Sequence, residues 1–230
     1  MASILKLGAR LDMIVDLCDS CKKVADIGCD HGYITCELIL QNKANMVISA
    51  DISAQSLQKA IMLAEKLNIS DFVSFRESDG FQNITKYDKV NQAVIAGMGG
   101  KEIIKILEGK PRRLHKFVLG PQSDVLELRT YLAEHGYKIV VDIMVFEKGK
   151  YYNIIKVRRG STKFKNYLDY YFGKTNLTDN NKVFMKYLQE EKEKIEEFKQ
   201  KTNGELTKKL RDRENLLNKA VAEVKRNSKK

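Results

Sequence analysis

The sequence of 230 residues contains only two prolines and no long apolar run. Crossing a bilayer takes about 20 consecutive apolar residues, and the start of the chain lacks an apolar stretch followed by a small-residue cleavage site. With 43% hydrophobic and 31% charged residues, the composition excludes the disordered and fibrous classes. We therefore expect a soluble, cytoplasmic protein that does not enter a membrane.

Cysteine is also scarce, and its placement excludes a fold held together by disulfides. The four cysteines, Cys18, Cys21, Cys29 and Cys36, all fall in the first sixth of the chain, where they cannot brace a protein of this length. The Cys18-x-x-Cys21 spacing occurs in zinc and redox sites, but no second Cys-x-x-Cys accompanies it. We expect reduced thiols and no metal site.

Basic residues, in contrast, are in excess. The net charge is +11, of which +7 falls in residues 161–230. Such a surplus favours polyanionic partners, because lysine and arginine neutralise phosphates and release counterions. A solvated helical pair that packs on the rest of the protein, or dimerises, is the alternative interpretation of the same segment.

The region up to residue 160 alternates short β-branched runs with amphipathic stretches, which predicts a parallel sheet covered by helices. The predicted strands are 23–27, 46–51, 73–77, 92–96 and 116–119, and the predicted helices are 33–41, 54–67, 101–108 and 125–135. Two further strands, 137–147 and 151–159, are separated only by residues 148–150, which predicts a hairpin. The last strand therefore runs antiparallel, and the Rossmann-like seven-stranded α/β sheet resembles the class I methyltransferase fold.

Residues 161–230 form a separate unit by composition, so we divide the chain into 1–160 and 161–230. Phe184, Leu188, Ile195 and Phe198 fall on one helical stripe. A second stripe follows a near-heptad spacing and consists of Leu206, Leu210, Leu217, Ala220 and Val224. A break at 202–204 separates the two stripes. We predict a coiled-coil-like helical hairpin from about 180 to 226, preceded by a linker that contains a short helix and followed by a frayed basic end at 225–230.

The segment VADIGCDHGY, residues 24–33, lies where the first strand turns into the first helix, the place where open α/β sheets bind ligands. Asp30 stands where a dinucleotide-binding loop has its second glycine, and a carboxylate there repels a pyrophosphate. A cationic or zwitterionic ligand fits better, and S-adenosylmethionine meets that description. In the simpler alternative, Asp30 only caps the helix.

Two further strand ends carry acidic or small residues. Asp51 ends the second strand, where a carboxylate can accept both ribose hydroxyls of an adenosine-containing cofactor; its alternative role is a helix cap, although Ser53 is the better cap. Asp79-Gly80 is either an adenine contact or a simple turn. The segment AGMGG, residues 96–100, leaves space beside the expected methyl group, because three glycines in five residues are hard to explain by packing alone.

Five strings, taken together, resemble the bacterial TrmK family. In order they are KLxxRL at 6–11, DIGxDHxY at 26–33, DG at 79–80, IAGMGG at 95–100 and GKxY at 149–152, followed by the helical tail. This family methylates N1 of adenosine 22 in tRNA with S-adenosylmethionine, and the resemblance implies a catalytic domain at 1–160 with a tRNA-binding domain at 161–230. One departure is Gly120-Pro121-Gln122, where the family typically has Gln-Pro-Asn.

The resemblance and the motifs together predict the site. Methylation of adenine N1 leaves a cationic ring, which a carboxylate can stabilise or relieve by taking a proton from the exocyclic amine. We assign this role to Asp30, with His31 and Tyr33 orienting or stacking on the base; an ordinary helix-start role for His31 is the alternative. The predicted cofactor-binding residues are Asp26, Gly28, Cys29, Asp51, Ile52, Asp79, Gly80, Ala96, Gly97, Met98 and Gly99. The predicted tRNA-binding residues are Arg10, Gly100, Pro121, Gln122, Tyr152, Arg158, Lys208 and Arg211.

Two other functions remain open at this stage. A methyltransferase of the same fold with a protein or small-molecule acceptor does not need the basic tail. A non-enzymatic RNA-binding protein on this fold does not need Asp26, Gly28, Asp51 or the glycine cluster. We expect a monomer or a weak dimer.

Overall fold

The structure, a computed structural model, describes residues 5–179, 181–202 and 204–228. The sheet part of the chain consists of α1 (Ala9–Leu17), β1 (Cys21–Ile27), α2 (Tyr33–Leu40), β2 (Ala44–Asp51), α3 (Ala54–Lys66), β3 (Val73–Glu77), β4 (Gln92–Ala96), α4 (Gly100–Glu108), β5 (Phe117–Gly120), α5 (Val125–Glu134), β6 (Tyr137–Glu147) and β7 (Lys150–Arg159). The C-terminal part consists of α6 (Tyr167–Phe172), α7 (Lys174–Thr178), α8 (Lys182–Lys201) and α9 (Lys208–Asn227). Two single-turn helices, Ser70–Phe72 and Lys86–Asp88, flank β3.

The predicted seven-stranded sheet is confirmed, with the strand order β3-β2-β1-β4-β5-β7-β6. β1 to β5 are parallel, and β7 pairs antiparallel with both β5 and β6. The order reverses between β1 and β4, so the connections that leave these two strands diverge and open a crevice at their carboxyl ends. The motif at 24–33 leads into this crevice.

Helices cover both faces of the sheet, as the alternating pattern predicts. Side chains of α1, α2 and α3 pack on one face and side chains of α4 and α5 on the other. The central strands are buried on both faces, which explains why they appear as continuous apolar runs rather than as alternating ones.

The hairpin between β6 and β7 is tighter than predicted. Lys148 (φ 48°) and Gly149 (φ 79°) form the turn, and Lys150 already belongs to β7. Two consecutive residues with positive φ make a type I′ turn, whose twist matches that of the strands it joins.

Helix α1 was not predicted from the sequence. It begins after Gly8, which has no side chain to cap it, and the Arg10 backbone N–H donates instead to Glu147 Oε2 at 2.8 Å. The carboxylate arrives from the end of β6, so the signal for this helix start lies 137 residues away in the sequence.

The C-terminal part confirms the helical hairpin and corrects two details. The linker contains two short helices, α6 and α7, rather than one. Phe184, Leu188 and Ile195 are buried as predicted, together with Leu217 on α9, but Phe198 is 39% exposed and does not belong to this core. Asn203 of the predicted break at 202–204 lies outside the described residues. So do Lys229 and Lys230 of the predicted basic end at 225–230.

The C-terminal part covers the outer edge of β6 with side chains. The Ile139 N–H donates to Thr162 Oγ1 at 2.7 Å, the Asp142 N–H to Thr175 Oγ1 at 3.0 Å, and the Met144 N–H to Asn176 Oδ1 at 2.8 Å. An uncovered edge strand is a template for aggregation. The division at residue 160 stays a prediction, since the two parts share these contacts.

Candidate active site

A cavity of about 850 Å³ opens at the carboxyl ends of β1 to β4. Most of the predicted site residues meet on its walls: Arg10, Gly28, Cys29, Asp30, His31, Tyr33, Asp51, Ile52, Asp79, Gly80, Ala96, Gly97, Met98 and Gln122. A smaller open cavity of about 660 Å³ lies between α6 and α9, far from these loops. The sequence motifs therefore converge on one place in the fold.

The loop after β1 is held in an uncommon conformation. Gly28 has φ 73° and Asp30 has φ 47°, a left-handed conformation that non-glycine residues adopt rarely. The Asp30 N–H donates to Asp51 Oδ2 at 3.0 Å, and the Ser53 N–H donates to Asp51 Oδ1 at 2.9 Å. Asp51 thus fixes the Asp30 backbone from the neighbouring strand, and each of its oxygens keeps one acceptor position for a ligand. The predicted cap of α3 is Ser53, which accepts from the Ser56 N–H at 3.2 Å.

Asp30, His31 and Tyr33 form an exposed group at the cavity mouth. The side chain of Asp30 is 68% exposed, and its Oδ1 lies 3.8 Å from His31 Nε2. The rings of His31 and Tyr33 are nearly parallel, with centroids 5.6 Å apart and an interplanar angle of 11°. A carboxylate beside two flat rings can contact a planar, hydrogen-bonding base.

Asp26 lies beneath the cavity and not on its wall. It is 2% exposed, and its carboxylate accepts from Thr35 Oγ1 at 2.7 Å, which in turn lies 2.9 Å from Ser49 Oγ. Burial raises the pKa of Asp26 to about 6 despite the hydrogen bond from Thr35. This geometry supports the loop from below and does not give Asp26 the direct cofactor contact that we predicted.

The glycine cluster after β4 divides into one open position and two packed ones. Gly97 has φ 87° and no atom within 4 Å of where a Cβ would stand, so it leaves free space at the cavity wall. A Cβ on Gly100 would lie 2.3 Å from the carbonyl oxygen of Asp124, and one on Gly99 would lie 2.9 Å from Ser123 Oγ. Packing therefore explains two of the three glycines, contrary to the argument from sequence.

The loops after β4 and β5 are joined by backbone hydrogen bonds. The Gln122 N–H donates to the Met98 carbonyl at 2.9 Å, and the Gly97 N–H donates to the Gly120 carbonyl at 3.1 Å. Gln122 is thereby presented at the cavity wall, whereas Pro121 is buried beneath it. The departure from the family pattern at 120–122 keeps an amide at the site.

The loops after β2 and β3 form the opposite wall. The Ser78 N–H donates to the Asp51 carbonyl at 2.8 Å, and Ser78 Oγ donates to the Gly80 carbonyl at 3.0 Å. Asp79 is exposed, with the Gln82 amide 3.3 Å from its Oδ2. Ile52 is 69% exposed, an unusual state for an apolar side chain and suited to packing against an adenine ring.

A third wall comes from the N-terminal segment and was only partly predicted. Its missed members include Leu5, Lys6 and Leu7, with Glu147 and Lys148 from the β6–β7 hairpin. The Arg10 guanidinium carbon lies 5.2 Å from the centre of the Tyr152 ring, and Arg10 Nη1 is buried with no hydrogen-bond partner among the described residues. Tyr152 therefore acts on the cavity through Arg10 rather than by lining it.

Several predicted residues lie elsewhere. Gly99 and Gly100 pack against the loop after β5, as described above. Arg158 stands near the end of β7, which runs antiparallel and therefore ends at the edge of the sheet opposite to the cavity. Lys208 and Arg211 lie in the first turn of α9, in the C-terminal part. The structure does not bring these residues together with the cavity.

The cysteines are free thiols. Cys29 lines the cavity, and burial raises the pKa of its thiol to about 12, so the reactive thiolate is disfavoured there. Among the residues that the structure describes, no group of three His, Cys, Asp or Glu side chains is placed to hold a metal ion.

Comparison with known proteins identifies the family. The family model described as tRNA (adenine(22)-N(1))-methyltransferase, TrmK, matches residues 24–226. This chain belongs to that family. The TrmK resemblance of the motifs is thereby confirmed, and the chain is a tRNA methyltransferase.

Individual TrmK relatives agree with this assignment. The tRNA (adenine(22)-N(1))-methyltransferase of Bacillus subtilis is 30% identical over 159 residues, which are 68% of this chain and 66% of that protein. The crystal structure of the B. subtilis m1A22 tRNA methyltransferase has a TM-score of 0.79, with 25% identity over 94% of this chain and 99% of that one.

A structure from Streptococcus pneumoniae, assigned to the tRNA (m1A22) methyltransferases, contains S-adenosyl-L-methionine. It has a TM-score of 0.82, with 27% identity over 93% of this chain and 98% of that one. The Rossmann-like class I methyltransferase fold and the cofactor predicted from the motifs are both in agreement with it. None of the described helices of the present chain is long and apolar enough to span a membrane.

Proposed function

We propose that the cavity at the carboxyl ends of β1 to β4 binds S-adenosylmethionine and that adenosine 22 of tRNA is methylated at N1 at its mouth. The observation that carries this proposal is the convergence of Asp30, Asp51 and Gly97 on one cavity. The first two are tied together through the Asp30 N–H. We place the enzyme in the cytoplasm and expect a monomer or a weak dimer.

The walls of the cavity fit the parts of this cofactor. Asp51 keeps two acceptor positions for ribose hydroxyls, and Ile52 with Asp79 offers an apolar surface and an acceptor for the adenine ring and its amine. Gly97 leaves room where a side chain would otherwise project into the cavity. The cofactor supplies a methyl group on a positively charged sulfur.

The chain's own residues hold the acceptor and manage its charge. His31 and Tyr33 give the base a flat surface at the mouth, and positioning of the acceptor nitrogen is the main demand of an in-line methyl transfer. N1 uses its own lone pair, so no covalent nucleophile is required. The Asp30 carboxylate stabilises the cationic product ring or accepts a proton from its exocyclic amine.

Arg10 and Gln122 complete the acceptor side. Arg10 lines the cavity and carries a buried N–H that has no partner among residues 5–179, 181–202 and 204–228, and a buried unmatched donor costs free energy. We assign the acceptor for this N–H to the RNA, because the target nucleoside must leave its stacked position to reach the cavity.

The helical hairpin supports binding of the rest of the tRNA. α8 runs alongside β6 toward its carboxyl end. Successive contacts show this direction: Asn181 contacts Met144, Lys186 contacts Phe146, and Tyr187 contacts Tyr151 of β7. The helix continues from Tyr187 to Lys201, about 21 Å past the last of these contacts at 1.5 Å per residue. Lys208 and Arg211 begin α9 at that far end, where they are exposed to an RNA bound at the cavity mouth.

Transfer of a labelled methyl group to unmodified tRNA tests the function. We expect label on a tRNA with adenosine at position 22 and none on the same tRNA with guanosine there. Label on both would keep the enzyme class but refute the target position, and label on protein or small molecules alone would replace tRNA as the acceptor.

Substitution of Asp30 tests the site. Asp30→Asn keeps the backbone N–H that Asp51 accepts, so we expect unchanged cofactor affinity and methyl transfer at least about 100-fold slower, the size of a general acid–base or electrostatic contribution. Asp71→Asn, on an exposed turn away from the cavity, is the matched control. Normal turnover of Asp30→Asn would remove this carboxylate from the mechanism.

A further inference from the structure

A group of basic side chains lies at the edge of the sheet opposite to the cavity, and we call it the basic edge. Its members are Arg112, Arg113, Lys138, Arg158 and Arg159, all exposed. They come from the loop before β5, the start of β6 and the end of β7. The three segments are neighbours because β5, β7 and β6 are adjacent in the sheet.

The strand register places like charges directly opposite each other. Lys138 and Arg158 are cross-strand partners in the β6–β7 pair, so their side chains lie on the same face of the sheet. Like charges in this position destabilise an antiparallel pair. The electrostatic repulsion between these two side chains decreases when a bound anion lies between or above them.

These cations have no acidic partner among the described residues. Lys116 and Lys156, which stand next to them, both pair with Asp19, at 3.2 and 2.6 Å, and so occupy the nearby carboxylate. The five members of the basic edge are themselves in no ion pair of the described structure. The surplus positive charge shows in the pKa of the neighbouring His115, which is lowered first by burial and then by Lys110 and Arg159.

The helical hairpin differs in part. Some of its cations are matched by acids on the hairpin itself, as in Lys194 and Arg213 with Glu191, and Lys199 with Glu196 and Glu214. Arg213 also stacks on Tyr171 and Phe172. The exposed Lys208, Lys209 and Arg211 at the start of α9 are in no ion pair of the described structure, so the basic edge is a second group of unmatched cations, on the sheet domain.

Exposed arginines and lysines without acidic partners are the chemistry that binds phosphodiester backbones. We propose that the basic edge is a second contact surface for the phosphate backbone of tRNA, separate from the catalytic cavity. This inference rests on the proposed function, because it takes the bound RNA to be the tRNA whose adenosine is methylated.

The two surfaces are far enough apart to contact different parts of the RNA. β7 runs from Lys150 beside the cavity to Arg159 at the basic edge, and nine steps along an antiparallel strand span about 30 Å. A folded tRNA reaches over this distance, whereas a short hairpin that carries only the target adenosine does not. The basic edge therefore adds affinity for whole tRNA without changing chemistry at the cavity.

The test measures tRNA affinity against salt concentration. The variant Lys138→Gln/Arg158→Gln/Arg159→Gln removes three cations, and each phosphate contact contributes about 0.7 to 0.9 to the slope of log affinity against log salt. We expect the slope to fall by about 2 to 3. Between 50 and 200 mM salt, the wild type then loses about 16- to 64-fold more affinity than the variant does.

The matched control is Lys66→Gln/Lys86→Gln/Lys89→Gln. These three exposed lysines lie near β3, at the other end of the sheet, and their removal changes the net charge equally. We expect the wild-type slope for the control, and wild-type affinity of the basic-edge variant for an isolated RNA hairpin with the target adenosine.

The outcomes separate this inference from the proposed function. A basic-edge variant with the slope of the control would overturn the inference, as would equal weakening for the hairpin and the whole tRNA. The inference would also be overturned if the basic-edge variant showed a smaller salt slope for an unrelated ribosomal RNA but the wild-type slope for tRNA. Absence of methyl transfer by the wild-type protein, with the slope difference intact, would refute only the proposed function.

Discussion

One buried ion pair contributes to the attachment of the C-terminal helices to the sheet, and its removal gives a quantitative prediction. The Arg129 guanidinium donates to both carboxylate oxygens of Asp142, at 2.6 and 2.9 Å. The two side chains are only 2% and 1% exposed. Arg129 also donates to the Tyr171 carbonyl at the end of α6 and to Asn153 Oδ1, so a single side chain joins α5, β6, β7 and α6.

We expect Arg129→Met to lower the free energy of unfolding by about 4 kcal/mol. Removal of one partner leaves a buried carboxylate without its counter-ion, which costs about 3–5 kcal/mol. The double variant Arg129→Met/Asp142→Leu removes both charges, and replacement of a buried pair by apolar side chains is often neutral. We therefore expect the double variant to recover most of the loss.

Urea unfolding followed by circular dichroism measures these differences, and far-ultraviolet signal suits a chain without tryptophan. Arg226→Met is the control, because the Arg226–Glu223 pair is largely exposed on the arginine side and should change stability by less than about 1 kcal/mol. The reasoning fails if Arg129→Met costs less than about 1 kcal/mol, or if the double variant is no more stable than the single one.

Two further predictions concern the buried carboxylate below the cavity and the division of the chain. The raised pKa of Asp26, about 6, means that the folded state favours the protonated carboxyl. The free energy of unfolding is therefore higher at low pH and decreases as the pH rises from about 4 to 6. Asp26→Asn should abolish that loss, which amounts to at most about 3 kcal/mol, and parallel stability curves for the two proteins across this range would contradict it. A chain ending at residue 160 lacks Thr162, Thr175 and Asn176 and exposes the edge of β6, so light scattering should detect aggregation; a soluble monomer would show that 1–160 folds independently.

The sheet and the loop after β1 were predictable because their signals are local. Apolar runs of strand length alternate with amphipathic helices, and the loop after β1 carries its special residues, Gly28 and Asp30, within a few positions of each other. The structure places both with positive φ at the cavity. Local sequence signals suffice where a strand, a turn and a helix follow one another directly.

Features that depend on distant partners were missed or misjudged. Helix α1 has no local cap, and its first turn is completed by Glu147 at the end of β6, which is distant in the sequence. Gly100 looked like a ligand-binding glycine because nothing in the sequence shows that the carbonyl of Asp124 approaches it. Asp26 resembled its neighbours in the motif, but strand alternation turns its side chain toward Thr35 and away from the cavity.

The two sides of the cavity also differ in whether they depend on neighbouring or on distant parts of the chain. The proposed cofactor side of the cavity is built from successive loops at the ends of β1 to β4, all of which belong to the parallel sheet. The proposed acceptor side includes Arg10 from the N-terminal segment, and that segment is held by Glu147 at the end of β6. The edge of β6 is in turn covered by the C-terminal helices, so damage to their attachment should reach the acceptor side of the cavity before it reaches the cofactor side.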